Sequence, residues 1–357
     1  MSDIAYGAHG RGNAPHDAAL HDTRRTARAF RSRKEERRYW LLLSALVALG
    51  ALAVWGLLVY KNPVPVDSPS FLPVVRRRMV AVIAMLISAI CQSLATVAFQ
   101  SSTSNRIITP SLLGFEALYA TIHTSTMFFL GASAFIRFSG GMPAFLFQVA
   151  VMVVMCLLLY GWLLSGKYGN LQLMLLVGVI LGTGLRSVSS FMRRLLAPSE
   201  FDVLQAKLFG SVSNANADFF PIAIPVVLAA ACLVFAYAKR LNVLSLGKST
   251  STALGVRHPS GVLYALVLVS VLMSVSTALV GPLTFYGFLV ATMTYQAAPT
   301  YDHRYIFPMA LAIGFAIITG AYFFMYHIFR AQGVVSVIIE MFGGIAFLGV
   351  ILRKGTL

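Results

Sequence analysis

Apolar residues along this chain fall in long, nearly unbroken runs separated by short polar or glycine- and proline-bearing stretches. The runs are Trp40–Tyr60, Arg78–Phe99, Leu112–Phe135, Pro143–Leu164, Leu171–Leu195, Phe219–Ala238, Val262–Val280, Leu283–Ala297, Ile306–Phe329 and Val334–Leu352. Most approach the roughly 20 residues a helix needs to cross the hydrocarbon of a bilayer, and none alternates with the period of a barrel strand. The pattern predicts an all-α, polytopic bundle of about ten transmembrane helices. The eighth run is short and interrupted by Gly287, which predicts a broken or tilted helix beside a cavity.

Composition supports the same class. Of 357 residues, 58% are hydrophobic and only 11% charged, more apolar surface than a soluble core of this size hides. Twenty-eight Lys and Arg stand against twelve Asp and Glu, a formal charge of +16, and their placement sets the orientation. Residues 1–38 read as a disordered basic arm, with RRTARAFRSRKEERR at Arg24–Arg38, and residues 39–357 as the transmembrane domain. The arm is expected in the cytoplasm, where solvation and orientation explain it better than nucleic-acid binding. Ala51-Leu52-Ala53 lies inside the first run, so that helix is read as uncleaved.

With the amino terminus inside, the count returns Lys239, Arg240, Lys248, Arg257, Arg353 and Lys354 to the cytoplasm, so both termini are placed there. Arg76, Arg77 and Arg78, and also Arg186, Arg193 and Arg194, fall on the outer side against this rule.

Chemistry-bearing residues within the runs are scattered. Glu116, His123, His327 and Glu340 form no nucleophile-base or metal-ligand pattern, and Cys91, Cys156 and Cys232 sit in apolar segments without CxxC spacing. A charge at the centre of a membrane helix costs roughly 2.5–3.5 kcal/mol on insertion scales, so Glu116 and Glu340 are expected near an interface or against protein. An ion-coupled secondary transporter would depend on Glu116, Glu340 or a histidine, and it stands as the alternative reading. Neither an enzyme of this chain's own nor a metal site is expected. Gln92 and Gln100, spaced through Thr96, share one face of the second helix. Lining a translocation path and bonding adjacent helices are equal readings of that face, and Gly287 joins the candidates for the path.

Between the sixth and seventh runs, Leu241–Val256 reads LNVLSLGKSTSTALGV. Gly247-Lys248-Ser249 invites a phosphate-loop reading, but the loop's first glycine is replaced by Asn242 and the flanks are membrane-like.

Four segments in order resemble the permease subunits of ATP-binding-cassette importers for iron siderophores and vitamin B12. They are FQSSTSNRIITPSLLGFEALY at Phe99–Tyr119, LNVLSLGKSTSTALGV (the family's LNxLxLG and AxxLGV), GPLTFYGFLVATMTYQ at Gly281–Gln296, and GGIAFLGVIL at Gly343–Leu352. The resemblance runs from about Arg76 to the end. It departs at Lys248, where the family commonly has an acid, and at Ala291-Thr292 in place of proline-histidine. The forms look closest to the branch in which two different permeases pair to import ferric siderophores, often catecholates.

The resemblance implies a role for each loop. Leu241, Asn242, Leu244, Leu246, Gly247, Lys248, Ala253, Leu254 and Gly255 would form short helices docked in a cytoplasmic ATPase, with Ala253 and Gly255 allowing close packing. Arg76, Arg77 and Arg78 would pair with acids of an extracytoplasmic siderophore-binding protein; interfacial snorkelling is the plainer alternative. No cofactor would bind this chain directly, and ATP would act through the partner ATPase. The implied setting is the cytoplasmic (inner) membrane.

Overall fold

The computed structural model describes residues 29–60, 69, 71–165, 171–212, 215–328 and 335–354. Among them are thirteen α-helices and no strand. In chain order these are α1 (Arg33–Leu58), α2 (Phe71–Ser102), α3 (Phe115–Ser139), α4 (Met142–Ser165), α5 (Leu171–Arg194), α6 (Pro198–Leu208), α7 (Phe220–Ala236), α8 (Ala238–Leu244), α9 (Lys248–Ala253), α10 (His258–Val280), α11 (Tyr286–Ala297), α12 (His303–His327) and α13 (Val335–Lys354).

Each of the ten apolar runs coincides with one helix. Six of these, α1, α2, α5, α7, α10 and α12, are long and apolar enough to cross a membrane. The α11 helix, with 12 residues, rises only about 18 Å, well short of a hydrocarbon core about 30 Å thick. That agrees with a broken eighth element, but the break is not at Gly287. Residues 281–285 are non-helical, α11 starts at Tyr286, and Gly287 lies inside its first turn. A Cβ on Gly287 would collide with the Thr96 side chain, so the glycine provides room for α2.

The α3 helix differs from the simple span expected over Leu112–Phe135. A 3₁₀ turn at Pro110–Leu113 precedes it, Gly114 takes φ +107°, and Gly131 interrupts it at φ 75°, ψ 172°. An L side chain rarely adopts such φ values, which explains glycine at both bends.

Two further elements depart from the sequence expectation. The α1 helix begins at Arg33, inside the stretch assigned to the basic arm, because Ser32 accepts from the Glu35 N–H at 3.2 Å and Glu35 accepts from the Arg31 N–H at 3.0 Å. Phe30 is buried against Tyr39 and Tyr305, anchoring that end. Residues 1–28 lie outside the described residues, and with them the arm's expected disorder. The α6 helix has no counterpart among the ten runs; it starts on Pro198, with Glu200 accepting from the Ala197 N–H at 3.3 Å.

The centre of the bundle is α2, flanked by α10, α11 and α12, while α1 packs on α12, α4 on α10, and α3 on α5. From Ile87 to Ser102 nearly every α2 side chain is buried, as befits a helix surrounded by others. Small residues bring the backbones close. A Cβ on Gly50 or Gly56 would run into Phe315 or Phe323 of α12, and one on Gly314 would meet Ser93.

Candidate functional site

The connector at Leu241–Val256 folds as two short helices, α8 and α9, separated by Ser245–Gly247. Gly247 takes φ +91° and Gly255 φ +81°, each bringing the chain out of a helical turn, and a Cβ at either would meet nothing within 4 Å. Within this chain both glycines therefore serve backbone conformation rather than packing. Leu241 and Leu244 are buried and fix α8 to the bundle. Leu244 packs on Gly261 of α10, whose carbonyl accepts from the Tyr237 hydroxyl at 3.1 Å.

The other face of the connector is open. Lys248, Ala253 and Gly255 are exposed, and Leu246 and Leu254 are 56% and 59% exposed. Two bare leucines beside a lysine form a small apolar, basic platform suited to a partner. Lys248 also opens α9 at the end where a helix prefers an acid, by about 0.3–1 kcal/mol. Its charge is therefore mildly unfavourable for the helix itself.

Asn242 occupies the position that a phosphate loop would give to its first glycine, and its side chain is fully engaged. Its amide donates to Asp302 Oδ1 at 3.0 Å, and its Oδ1 accepts from the His303 N–H at 2.9 Å and lies against His303 Nδ1. On its far side the His303 ring meets Ser101 Oγ at 2.6 Å. Ser104 approaches the Leu244 carbonyl at 3.5 Å. The connector is thus tied by a continuous polar chain to the start of α12 and the end of α2.

These groups border a polar cavity of about 810 Å³ that also includes Gln100, Arg106 and Tyr295. The Arg106 guanidinium lies 4.6 Å over the Tyr295 ring. Asp302, His303 and Ser101 did not emerge from the sequence, because their partners are distant in the chain. The local signal available was Asp302 as an N-cap, accepting from the Arg304 N–H at 3.1 Å.

The shared face of α2 is present and buried. Gln92 donates to Ser276 of α10 at 3.4 Å, Thr96 faces Gly287, and Gln100 donates to the Arg106 carbonyl at 2.9 Å. The amide nitrogens of both glutamines are thus bonded inside this subunit, while Gln92 Oε1, Thr96 Oγ1 and Gln100 Oε1 have no partner among the described residues, and Gln100 also reaches the polar cavity.

Arg76, Arg77 and Arg78 lie within the first turns of α2, which begins seven residues earlier than expected, at Phe71. Arg76 and Arg77 are exposed. Arg78 instead turns inward, donating to the Leu57 carbonyl at 2.8 Å and lying 5.9 Å from the Tyr326 ring centre. Arg78 is thus committed to holding α1 and α12, and only Arg76 and Arg77 of the three remain exposed.

Glu116 and Glu340, far apart in sequence, meet at Thr284 in the non-helical segment before α11. The Thr284 hydroxyl donates to Glu116 Oε2 at 2.6 Å and stands 3.5 Å from Glu340 Oε1. Both carboxylates therefore face protein, as their cost in a membrane requires. The histidines lie elsewhere: His123 packs between Tyr119 and Phe135, and His327 on Phe323 and Tyr60. No metal-binding group of three or more His, Cys, Asp or Glu occurs among the described residues.

A multi-helix membrane bundle with a broken helix and an exposed connector pinned to two core helices defines a membrane permease. The chain belongs to the FecCD transport family, whose model matches residues 39–354, so the family likeness includes the first helix as well as the segments from Arg76 onward. It is 68% identical over 345 residues to the petrobactin import system permease protein FatC of Bacillus anthracis, covering 97% of each chain. It is 35% identical to the petrobactin import permease YclO of Bacillus subtilis, covering 78% of this chain and 88% of that one. Against FepD, a ferric enterobactin transport permease of Escherichia coli, identity is 30%, over 66% of this chain and 68% of that protein. A solved metal-chelate type ABC transporter in an inward-facing conformation shares the fold, with TM-score 0.72 and 19% identity over 88% of this chain and 99% of the other. The resemblance to iron-siderophore importer permeases is borne out, and the ion-coupled secondary transporter is not favoured.

Proposed function

We propose that this chain is the membrane-spanning half of an ATP-driven importer that brings a ferric siderophore of the petrobactin type into the cytoplasm. Alternating access moves the cargo, with ATP hydrolysed by a separate cytoplasmic ATPase seated on Leu246–Gly255. The single observation that carries the mechanism is the Asn242–Asp302–His303–Ser101 chain. A load on the exposed connector would pass through these direct hydrogen bonds to α12 and α2. The cargo assignment rests on the 68% identity to a petrobactin import permease, and the match to a second such permease of Bacillus anthracis, at 26%, supports pairing with a different permease chain. Both termini then face the cytoplasm, Arg76 and Arg77 face outward, and Gln92, Gln100 and Gly287 move with the helices that bound the path.

The test is reconstitution of the chain with a second permease, the ATPase and the siderophore-binding protein in proteoliposomes. Uptake of iron-loaded petrobactin should require ATP and all four proteins, and should survive collapse of the proton gradient. Uptake that continues without ATPase but stops with the gradient would overturn the proposal.

Docking of the binding protein provides a second expected result. Arg76→Glu with Arg77→Glu should weaken its affinity about tenfold at low salt, with the gap closing as salt is raised, because exposed charges are screened over about 8–10 Å. Surface plasmon resonance at two ionic strengths checks this. Arg78→Glu should instead lower thermal stability, since that side chain holds the Leu57 carbonyl.

A further inference from the structure

The α1 helix is long and apolar enough to cross the membrane, yet little of it is buried in the bundle. Tyr39, Gly50 and Leu57 mark its buried side. Centred about 130° around the helix from them, Arg33, Arg37, Trp40 and Ser44 recur at spacings of four, three and four and so form one stripe. With Glu36 and Leu41 they line a groove of about 520 Å³. Trp40 and Leu41 are 50% and 72% exposed, and both arginines are exposed as well. The side of a membrane span turned away from its bundle meets lipid.

The groove follows the layers of a bilayer. Leu41 lies about 6 Å further along the axis than Arg37, a rise close to the thickness of the headgroup layer. Between them stands Trp40, the residue type that favours the membrane boundary, and the apolar run of α1 continues from there. Cations at headgroup depth and apolar side chains at chain depth thus share one face. Neither guanidinium makes a hydrogen bond or ion pair among the described residues. Two arginines against Glu36 leave one positive charge in excess, which matches the single negative charge of a phosphodiester. The fixed fork of N–H donors on each guanidinium suits that group.

We propose that this groove binds an anionic phospholipid of the surrounding membrane. Its phosphate lies between Arg33 and Arg37, and its glycerol backbone and one acyl chain run along Trp40 and Leu41. Glu36, at the edge, accepts from headgroup hydroxyls and disfavours a second negative charge. Lys34 and Arg38 carry the same charge on the same turns but project from other faces of α1, so recognition depends on the side of the helix and not on its basic composition.

The test is native mass spectrometry of the delipidated full-length permease in detergent, titrated separately with phosphatidylglycerol and with phosphatidylcholine. The first phosphatidylglycerol should bind at a concentration at least tenfold below that for phosphatidylcholine, and millimolar inorganic phosphate should not displace it. Arg33→Gln with Arg37→Gln should weaken this binding at least tenfold. Lys34→Gln with Arg38→Gln, an equal loss of charge, should change it less than twofold. Trp40→Ala should weaken it severalfold, and it decides the matter alone if the arginine double variant fails to fold. Equal affinity for the two lipids, displacement by inorganic phosphate, equal effects of the two double variants, or unchanged binding in Trp40→Ala would each overturn the proposal.

Discussion

Asn242→Ala is expected to reduce siderophore uptake about tenfold while leaving the ATPase bound to the complex. The side chain removed makes two well-formed hydrogen bonds and a contact to the His303 ring, joining α8 to Asp302 and His303. Each buried polar group left unpaired costs about 1–3 kcal/mol, and about 1.4 kcal/mol changes a rate tenfold. Asp302 keeps its cap on Arg304 and His303 keeps Ser101, so the bundle should still fold. The exposed platform of Leu246, Lys248 and Leu254 is untouched, so co-purification of the ATPase should be normal. The variant should then hydrolyse ATP with little cargo moved, and iron delivered per ATP in proteoliposomes measures the loss. His303→Ala should produce the same defect, and the double variant should be little worse than either, because residues of one network are not additive. Uptake at the wild-type rate in Asn242→Ala would remove the connector-to-helix link from the mechanism.

What could be read from the chain divides by the range of the interaction that fixes it. The helices were legible because each apolar run is a local response to the bilayer, and the shared face of Gln92, Thr96 and Gln100 follows from helical spacing alone. The connector was legible as LNxLxLG and AxxLGV, but the resemblance implies room for close packing at Gly255, whereas the structure uses it, like Gly247, to take a positive φ. The partners of the connector and of the buried acids were not legible. Asp302 and His303 lie sixty and sixty-one residues from Asn242, and Thr284 joins Glu116 to Glu340 across 168 and 56 residues. Such pairs are decided by how helices stack, which no short window contains. The α6 helix escaped notice because it is only partly apolar, although Pro198 followed by Glu200 is a readable helix start. Arg78 was grouped with Arg76 and Arg77 by adjacency, but successive helical residues point about 100° apart, and the structure sends Arg78 to Leu57.

Gly210→Val should strongly destabilise the bundle. Gly210 follows α6 and lies directly against the backbone at the end of α10: a Cβ there would strike the Pro282 carbonyl, and the Ser211 N–H donates to the Val280 carbonyl at 2.8 Å. The opposing residue is Gly281, held at φ +91° with its own Cβ direction 2.9 Å from the Gly210 Cα. Two glycines therefore face each other across a contact that neither chain can leave without breaking the hydrogen bond. A flexible side chain could move aside; a backbone carbonyl cannot, so overpacking costs about 1–3 kcal/mol and the lost hydrogen bond adds about 1 kcal/mol. The contact also holds the 281–285 segment that presents Thr284 to Glu116 and Glu340. Displacing it would unpair a buried carboxylate in a membrane-embedded bundle, where the cost is largest. Thermal unfolding of the detergent-solubilised protein followed by size-exclusion chromatography should show a clearly lowered midpoint for Gly210→Val. Gly281→Ala should be affected in the same direction, through both its φ and its contact. Gly184→Ala, whose Cβ would meet nothing within 4 Å, should leave the midpoint unchanged. A Gly210→Val protein as stable as the wild type would show that the two segments separate freely, and that Thr284 is positioned by α11 alone.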